Sequence, residues 1–403
     1  MSRKKIQVGI IGTGFIGPAH IEALRRLPNV EVLALADINQ EIADKKAKQL
    51  GVPKAFCDYT ELLKLDLIES VHICTPNFLH FSIAKKAIEA GKHVICEKPL
   101  AISLEEGTEL VNLAEKKGVA NAVHFNLRYY PLIQNLKQLV KTGKLGQIFA
   151  IHGSYLQDWL LYQYDYNWRL NNKLSGVCRA VADIGSHWLD CVEFVSNIKV
   201  VEVCADFGIF YPIRKKPKKD VETYSGKLLK PEDYEDIKIN TEDYASVLLH
   251  FNNGAHGVMT VNQMAAGRKN RLFFEIDGSK KAVAWDSEIS NNMWIGERKN
   301  ANQILMKDPL LMEEPARVFS SFPGGHQEGF PDTSKHLFRE FYSYIMYGGY
   351  AKKEKPLFPT FKDGLRGIML CNAILKSHQK SAWVSVEKIN FINVLKKKKG
   401  GEV

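Results

Sequence analysis

The chain has 403 residues, 45% of them hydrophobic and 25% charged, which fits a globular protein too long for one core and so divided into two domains. No apolar run approaches the ~18 residues that span a bilayer, and the basic residues 1–5 lead into a short apolar run with no cleavage site, so a cytoplasmic protein is expected. Much of the net charge of +10 lies in two runs, 214–219 and 396–399, without the interleaved aromatics that stack on bases, so they read as a solvated loop and tail and argue against a nucleic-acid partner.

The first third alternates strand and helix patterns. Residues 6–11 form a β-branched run that reads as a strand buried on both faces. Gly12, Thr13, Gly14, Phe15, Ile16 and Gly17 follow, then a helical stretch to residue 27 and a second strand over 30–36 that ends at Asp37. A helix over 41–50, strands over 71–74 and 93–96, helices over 79–90 and 104–117 and a last strand over 119–124 complete the pattern. Strands separated by helices of this length imply right-handed crossovers and a parallel, doubly wound sheet.

Beyond residue 125 the pattern changes. Strands are predicted at 148–155, 200–207, 244–251, 256–263 and 272–276, with turns at 252–254 and 277–279. Helices are expected near 132–140, 185–194, 335–346 and 362–377. The fold class is therefore α/β: a Rossmann domain over 1–125 and a second, α+β domain over 126–403 built on a largely antiparallel open sheet. The Lys- and Pro-rich stretch 212–240 reads as an insertion, and 395–403 as a basic tail. Seven cysteines with no CxxC spacing and no His/Cys cluster give no reason to expect disulfides or a metal.

The glycine loop has the context that gives such a motif meaning: it closes a buried strand, opens a helix, and is followed by an acidic residue at the next strand's end. Gly12 allows the tight turn, Gly14 lets backbone N–H groups approach a pyrophosphate, and Gly17 permits close helix–strand packing. Asp37 would accept hydrogen bonds from the adenosine ribose. Ile38, Asn39 and Gln40 follow it, with no Arg to neutralise a 2′-phosphate, so NAD is favoured over NADP.

Three further signatures accompany the loop: Cys74-Thr75-Pro76-Asn77 with His80, Glu97-Lys98-Pro99, and Asp183-Ile184-Gly185-Ser186-His187. With them the chain resembles the glucose–fructose oxidoreductase / inositol dehydrogenase (Gfo/Idh/MocA) family over essentially its whole length. The resemblance implies NAD(P)-dependent oxidation or reduction of sugars, inositols and their derivatives, and an open sheet that often mediates homodimers or homotetramers. It also implies cofactor contacts from Thr75, Pro76, Asn77, His80, Glu97 and the Trp168-Arg169 pair. His80 can equally be a helix-start histidine, and Trp168 with Arg169 can simply pack in a loop.

Chemistry supports the resemblance. Lys98 follows a parallel strand's carboxyl end, where ligands sit in doubly wound sheets, and an ammonium there can stabilise a developing alkoxide. Asp183 and His187 are four residues apart, on one face if helical. Histidine is the natural acceptor of a hydroxyl proton at neutral pH. Asp183 would either orient that imidazole or contact the same hydroxyl; the plainer alternative is a capping aspartate with a core histidine. Arg179 stands where relatives carry a small or apolar residue, and would face substrate or a pyrophosphate. The 157–159 segment with Asp158 and the 162–166 segment have compositions that suit a carbohydrate pocket, Tyr155 is expected to contact the substrate, and the 324–329 loop with His326 is a flexible polar loop that would close over a ligand. A sugar or polyol dehydrogenase is the leading expectation. The alternatives are an NAD-dependent glycosidase using transient oxidation and a non-catalytic NAD-binding regulator.

Overall fold

The computed structural model describes residues 5–218 and 230–386. The N-terminal sheet is built from β1 (Ile6–Ile11), β2 (Val30–Ala36), β3 (Lys54–Phe56), β4 (Ser70–Ile73), β5 (His93–Cys96) and β6 (Asn121–Val123). All neighbours are parallel, in the order β3-β2-β1-β4-β5-β6, the doubly wound arrangement expected. Its helices are α1 (Ile16–Arg25), α2 (Gln40–Leu50), α3 (Tyr59–Leu63), α4 (His80–Glu89) and α5 (Leu104–Lys117). The ends of α2 and α5 are written locally. Asn39 and Ser103 cap the first turns through their side chains, and Gly51 and Gly118 close the last in the left-handed region. Short β3 and α3 were not in the sequence-based expectation, because three and five residues carry no period.

After α6 (Pro131–Lys141) come β7 (Ile148–Leu156), α7 (Ser186–Ser196), β8 (Val200–Gly208), β9 (Ile213–Pro217), β10 (Tyr234–Lys238), β11 (Tyr244–Phe251), β12 (His256–Asn262), β13 (Arg271–Gly278), β14 (Ala282–Asp286), β15 (Asn292–Gly296) and β16 (Gln303–Met306). Helices α8 (Phe330–Met346) and α9 (Phe361–Lys380) and strand β17 (Val384–Ser385) complete the described residues. Nine strands form the second sheet in the order β16-β15-β14-β13-β7-β12-β11-β8-β17. Only the β7–β12 pair in its middle is parallel, so the largely antiparallel expectation is met. The other face of this sheet leaves Phe149 and Leu248 half exposed.

Two corrections concern charge. Arg214, expected in a solvated run, is fully buried. The β9–β10 hairpin lies over the 158–166 loop, and Arg214 donates to the carbonyls of Leu160 and Tyr162 and to Asp243. Arg179, expected to face substrate or pyrophosphate, is also buried: it pairs with Asp243, and its Nε donates to the Glu242 carbonyl at 3.1 Å. A charge that deep requires a carboxylate partner, and Asp243 serves both arginines. The basic tail lies outside the described residues.

Helices α8 and α9 return to the N-terminal core. Leu337, Phe338, Phe341 and Tyr342 of α8 join a cluster with Val8, Ile10, Ile21 and Leu24. Helix α9 straddles both layers, with Phe361, Leu365 and Ile368 against α5 and Leu370, Ala373 and Ile374 against the second sheet. Burial also shifts titration. His20 and His93 are each pushed down to about 4 by desolvation. The unfolded chain therefore takes up these protons near ~6.5 while the folded protein refuses them until about 4, so stability is complete above ~6.5 and lost as pH falls through that window. The expected loss is roughly 2 kcal/mol per group by pH ~5. A thermal midpoint that stays flat from pH ~7.5 to ~5 would contradict it.

Candidate active site

A cleft of about 1030 Å³ runs along the carboxyl ends of β1, β2, β4 and β5 and continues to the second sheet. That exceeds the volume usual for a small ligand alone and suits a dinucleotide with a substrate beside it. At one end the glycine loop turns from β1 into α1. Gly12 has φ of +92°, and a Cβ there would lie 2.8 Å from the Cys74 backbone. A Cβ on Gly17 would lie 2.3 Å from the Gly12 carbonyl oxygen, whereas one on Gly14 meets nothing within 4 Å. Gly17 is thus required by packing and Gly14 is the open position. Gly17→Ala is expected to cost about 1–3 kcal/mol of stability. Gly14→Ala should leave the thermal midpoint alone yet weaken NAD binding about tenfold by calorimetry; equal effects of the two on stability would refute the distinction.

Thr13, Phe15 and Ile16 line the same end of the cleft. Asp37 is fixed there: Thr13 N–H donates to its Oδ2 at 2.8 Å, the Thr13 hydroxyl bonds the same atom, and Ile38 N–H donates to Oδ1 at 2.7 Å. A fixed carboxylate accepts from ribose hydroxyls and repels a 2′-phosphate. Thr75, Pro76 and Asn77 line the middle, where the Thr75 hydroxyl is buried with no partner among the described residues. The Asn77 amide donates across to the Ser175 carbonyl at 3.0 Å. These features fit a dinucleotide: an open glycine position for the pyrophosphate, an orphan hydroxyl and a carboxylate set for ribose.

The predicted chemistry-bearing groups meet between the end of β5 and the turn that leads into α7. The Lys98 ammonium donates to the Asp183 carbonyl oxygen at 2.6 Å and to its Oδ1 at 2.9 Å. Arg169 Nε lies 3.5 Å from that Oδ1, and its guanidinium stacks on Trp168. Gln263 Nε2 donates to Asp183 Oδ2 at 3.0 Å. Burial alone would raise the Asp183 carboxyl, but Lys98 and Arg169 hold it far below the usual range. His187 is buried, its ring edge-on to Phe125 at 5.7 Å, and its Nδ1 has no hydrogen-bond partner among the described residues. Desolvation, then the Lys98 charge, pushes its pKa well down, so it is neutral and able to accept a proton.

Asp183 therefore neither orients the imidazole nor stands free for a hydroxyl. Val181–Gly185 forms a π-helical turn leading into α7, and this wider turn directs the carboxylate to Lys98 and Gln263. Two other expectations are corrected. His80 is fully buried, with Nδ1 2.7 Å from the Pro99 carbonyl and Nε2 2.9 Å from that of Thr75, so it ties two loops together and does not line the cleft. His326 lies outside the cleft, packed on Phe322, because Glu328 of the same loop is buried against Lys307 at 2.8 Å and anchors the loop elsewhere.

On the second-sheet side, Tyr155 Oη and Gln157 Nε2 both donate to Asn270 Oδ1 at 2.8 Å, and Trp159 Nε1 donates to Gln157. Asp158 pairs with Lys269 at 2.6 Å. Sequence reasoning missed Gln263, Lys269 and Asn270, which sit at or beyond strand ends without a motif. It also missed a buried cluster: Glu97 Oε1 lies 3.0 Å from His20 Nε2 and 2.6 Å from His124 Nδ1. Those residues come from three distant segments.

A parallel sheet with this loop and a lysine–aspartate–histidine junction opposite it defines an oxidoreductase with an NAD-binding Rossmann domain. Residues 6–125 match the model of the oxidoreductase family with that fold, and residues 133–284 match the family's C-terminal domain, so the chain belongs to the Gfo/Idh/MocA family. It is 33% identical to glucose-6-phosphate 3-dehydrogenase of Bacillus subtilis over 95% of this chain and 99% of that protein. It is 27% identical to levoglucosan dehydrogenase of Pseudarthrobacter phenanthrenivorans over 96% and 100%. A solved structure of levoglucosan dehydrogenase in complex with NADH and L-sorbose superposes with a TM-score of 0.85 at 26% identity, covering 96% of this chain and 100% of that one. Among the described residues no helix is long and apolar enough to cross a membrane.

Proposed function

We propose that the protein is an NAD-dependent dehydrogenase that oxidises a ring hydroxyl of a sugar, glycoside or inositol, or reduces the corresponding ketone. The observation that carries this reading is the convergence of Lys98, Asp183 and His187 at the cleft's junction, with Lys98 held on Asp183 at 2.6 and 2.9 Å. Residues 1–125 hold the cofactor through Gly12 to Gly17, Asp37 and Thr75 to Asn77, and residues 126–403 hold the substrate. NAD, when bound, supplies the hydride acceptor. Lys98 steadies the substrate oxygen as it gains alkoxide character, and neutral His187 takes its proton. Asp183, with Gln263 behind it, aims the ammonium. Tyr155, Trp159 and Asn270 offer an aromatic and amide surface suited to C–H faces and hydroxyls. The half-exposed Phe149 and Leu248 on the open sheet suit a homodimer or homotetramer. The test is direct: purified protein, NAD and a panel of sugars, glycosides and inositols should generate reduced cofactor, and no turnover across the panel would sink the proposal.

A further inference from the structure

The β9–β10 hairpin belongs to neither large sheet, and among the described residues none of it lines the cleft. It is nevertheless bonded to a segment that does. Lys215 N–H donates to the Gln163 carbonyl, and the Gln163 side-chain amide donates to the Ile213 carbonyl, each at 3.0 Å. Leu160, Leu170 and Ile239 form a small apolar core of their own, against which Trp159, Tyr166 and the hairpin's Ile237 pack. Trp159 and its neighbour Asp158 line the cleft. Arg214 is the polar anchor of this assembly, with its side chain fully buried. Its Nη1 donates to the Tyr162 carbonyl at 2.8 Å, and its Nη2 to the Leu160 carbonyl at 2.9 Å and to Asp243 Oδ1 at 3.0 Å. From the other side Leu160 N–H donates to the Gln263 carbonyl at 3.2 Å, and Gln263 N–H to the Asp243 carbonyl at 3.0 Å. The residue that follows Trp159 is thus gripped at both its N–H and its carbonyl.

We propose that Arg214 is a positioning residue for the substrate: the hairpin carries its guanidinium under the 158–166 loop, and there it fixes Trp159 as a rigid side wall of the sugar pocket. Backbone carbonyls turned into the protein need donors, and the planar fork of an arginine reaches two of them and a carboxylate at once. A wall ordered before the substrate arrives loses less freedom on binding, so its rigidity appears as affinity for the sugar. The reacting groups are held separately. Asp183 is fixed by Lys98 and by the Gln263 side chain, and the glycine loop lies at the other end of the cleft. Removing the guanidinium leaves Asp243 paired with Arg179, so no buried carboxylate is orphaned. The inference rests on the dehydrogenase reading of the cleft, with the sugar beside Trp159.

Steady-state kinetics at saturating NAD, with the sugar that the panel identifies, test it. Arg214→Met should raise KM for the sugar about tenfold while kcat stays within about threefold of wild type. A KM equal to that of the wild type, or a kcat that falls as far as kcat/KM, overturns the proposal. Hydrogen exchange gives a reading that does not depend on activity. Amides of the 158–166 loop should exchange about tenfold faster in Arg214→Met, with those of β13 unchanged, and equal exchange in the loop overturns the proposal. Should Arg214→Met fail to fold, Ile237→Ala trims the hairpin's apolar contact and leaves every buried charge paired. It should raise KM about threefold at unchanged kcat, and a wild-type KM overturns the proposal. Wild-type protein that turns over no sugar refutes the dehydrogenase reading itself, a different result from an unchanged KM or unchanged exchange.

Discussion

Replacing Lys98 with methionine is expected to lower kcat/KM for the sugar about 10³-fold, with NAD affinity and the thermal midpoint little changed. The ammonium is the only cation whose nitrogen reaches the Asp183 carbonyl among the described residues, and it stands beside His187 in the cleft. A donor aimed where charge develops acts in the transition state more than in the ground state, so the loss should fall on kcat. The fold should survive the change. Asp183 keeps its bond from Gln263 at 3.0 Å and the Arg169 guanidinium at 3.5 Å. Steady-state kinetics beside a melting curve separate the two effects. Wild-type turnover in Lys98→Met would remove the lysine from the chemistry.

The second large effect concerns His187. His187→Asn should reduce kcat/KM by about 10²–10⁴-fold, the usual worth of a positioned general base. The pH profile carries more information than the loss. Only the neutral imidazole accepts a proton, so oxidation falls as pH drops through the pKa of His187. Burial and the Lys98 charge depress that pKa, so the acid limb should lie below the ordinary histidine value near ~6.5. Reduction of a ketone needs the protonated form and should gain as pH falls over the same range. An oxidation limb at or above ~6.5, or a limb unchanged in His187→Asn, would assign the proton to another group.

The sequence exposed these residues unevenly, for physical reasons. The glycine loop, the cap residues Asn39 and Ser103 and the left-handed glycines 51 and 118 encode local geometry, and local geometry is what neighbouring residues can specify. Lys98, Asp183 and His187 were legible because they stand in motifs. What they touch was not. Asp183 meets Lys98 across 85 positions of chain, and the π-helical turn that aims it has no composition of its own. Arg179, read as facing substrate or a pyrophosphate, and Arg214, read as part of a basic run, misled because the buried Asp243 that holds both lies far from each along the chain. His80 misled for the opposite reason: its partners are backbone carbonyls, which every sequence has. The parallel sheet was read nearly in full, whereas β9, β10 and β14 to β16 were not, since short strands at a sheet's edge lack a long apolar period.

Helix α8 adds a constraint on how the protein is made. The strands of the first sheet emerge from the ribosome within the opening third of the chain, yet Phe338, Phe341 and Tyr342, which cover part of that sheet's core, follow some two hundred positions later. Synthesis runs at roughly 5–20 residues per second, so the nascent sheet waits on the order of tens of seconds with an apolar flank uncovered. The core of the first domain is therefore completed only when α8 has been made.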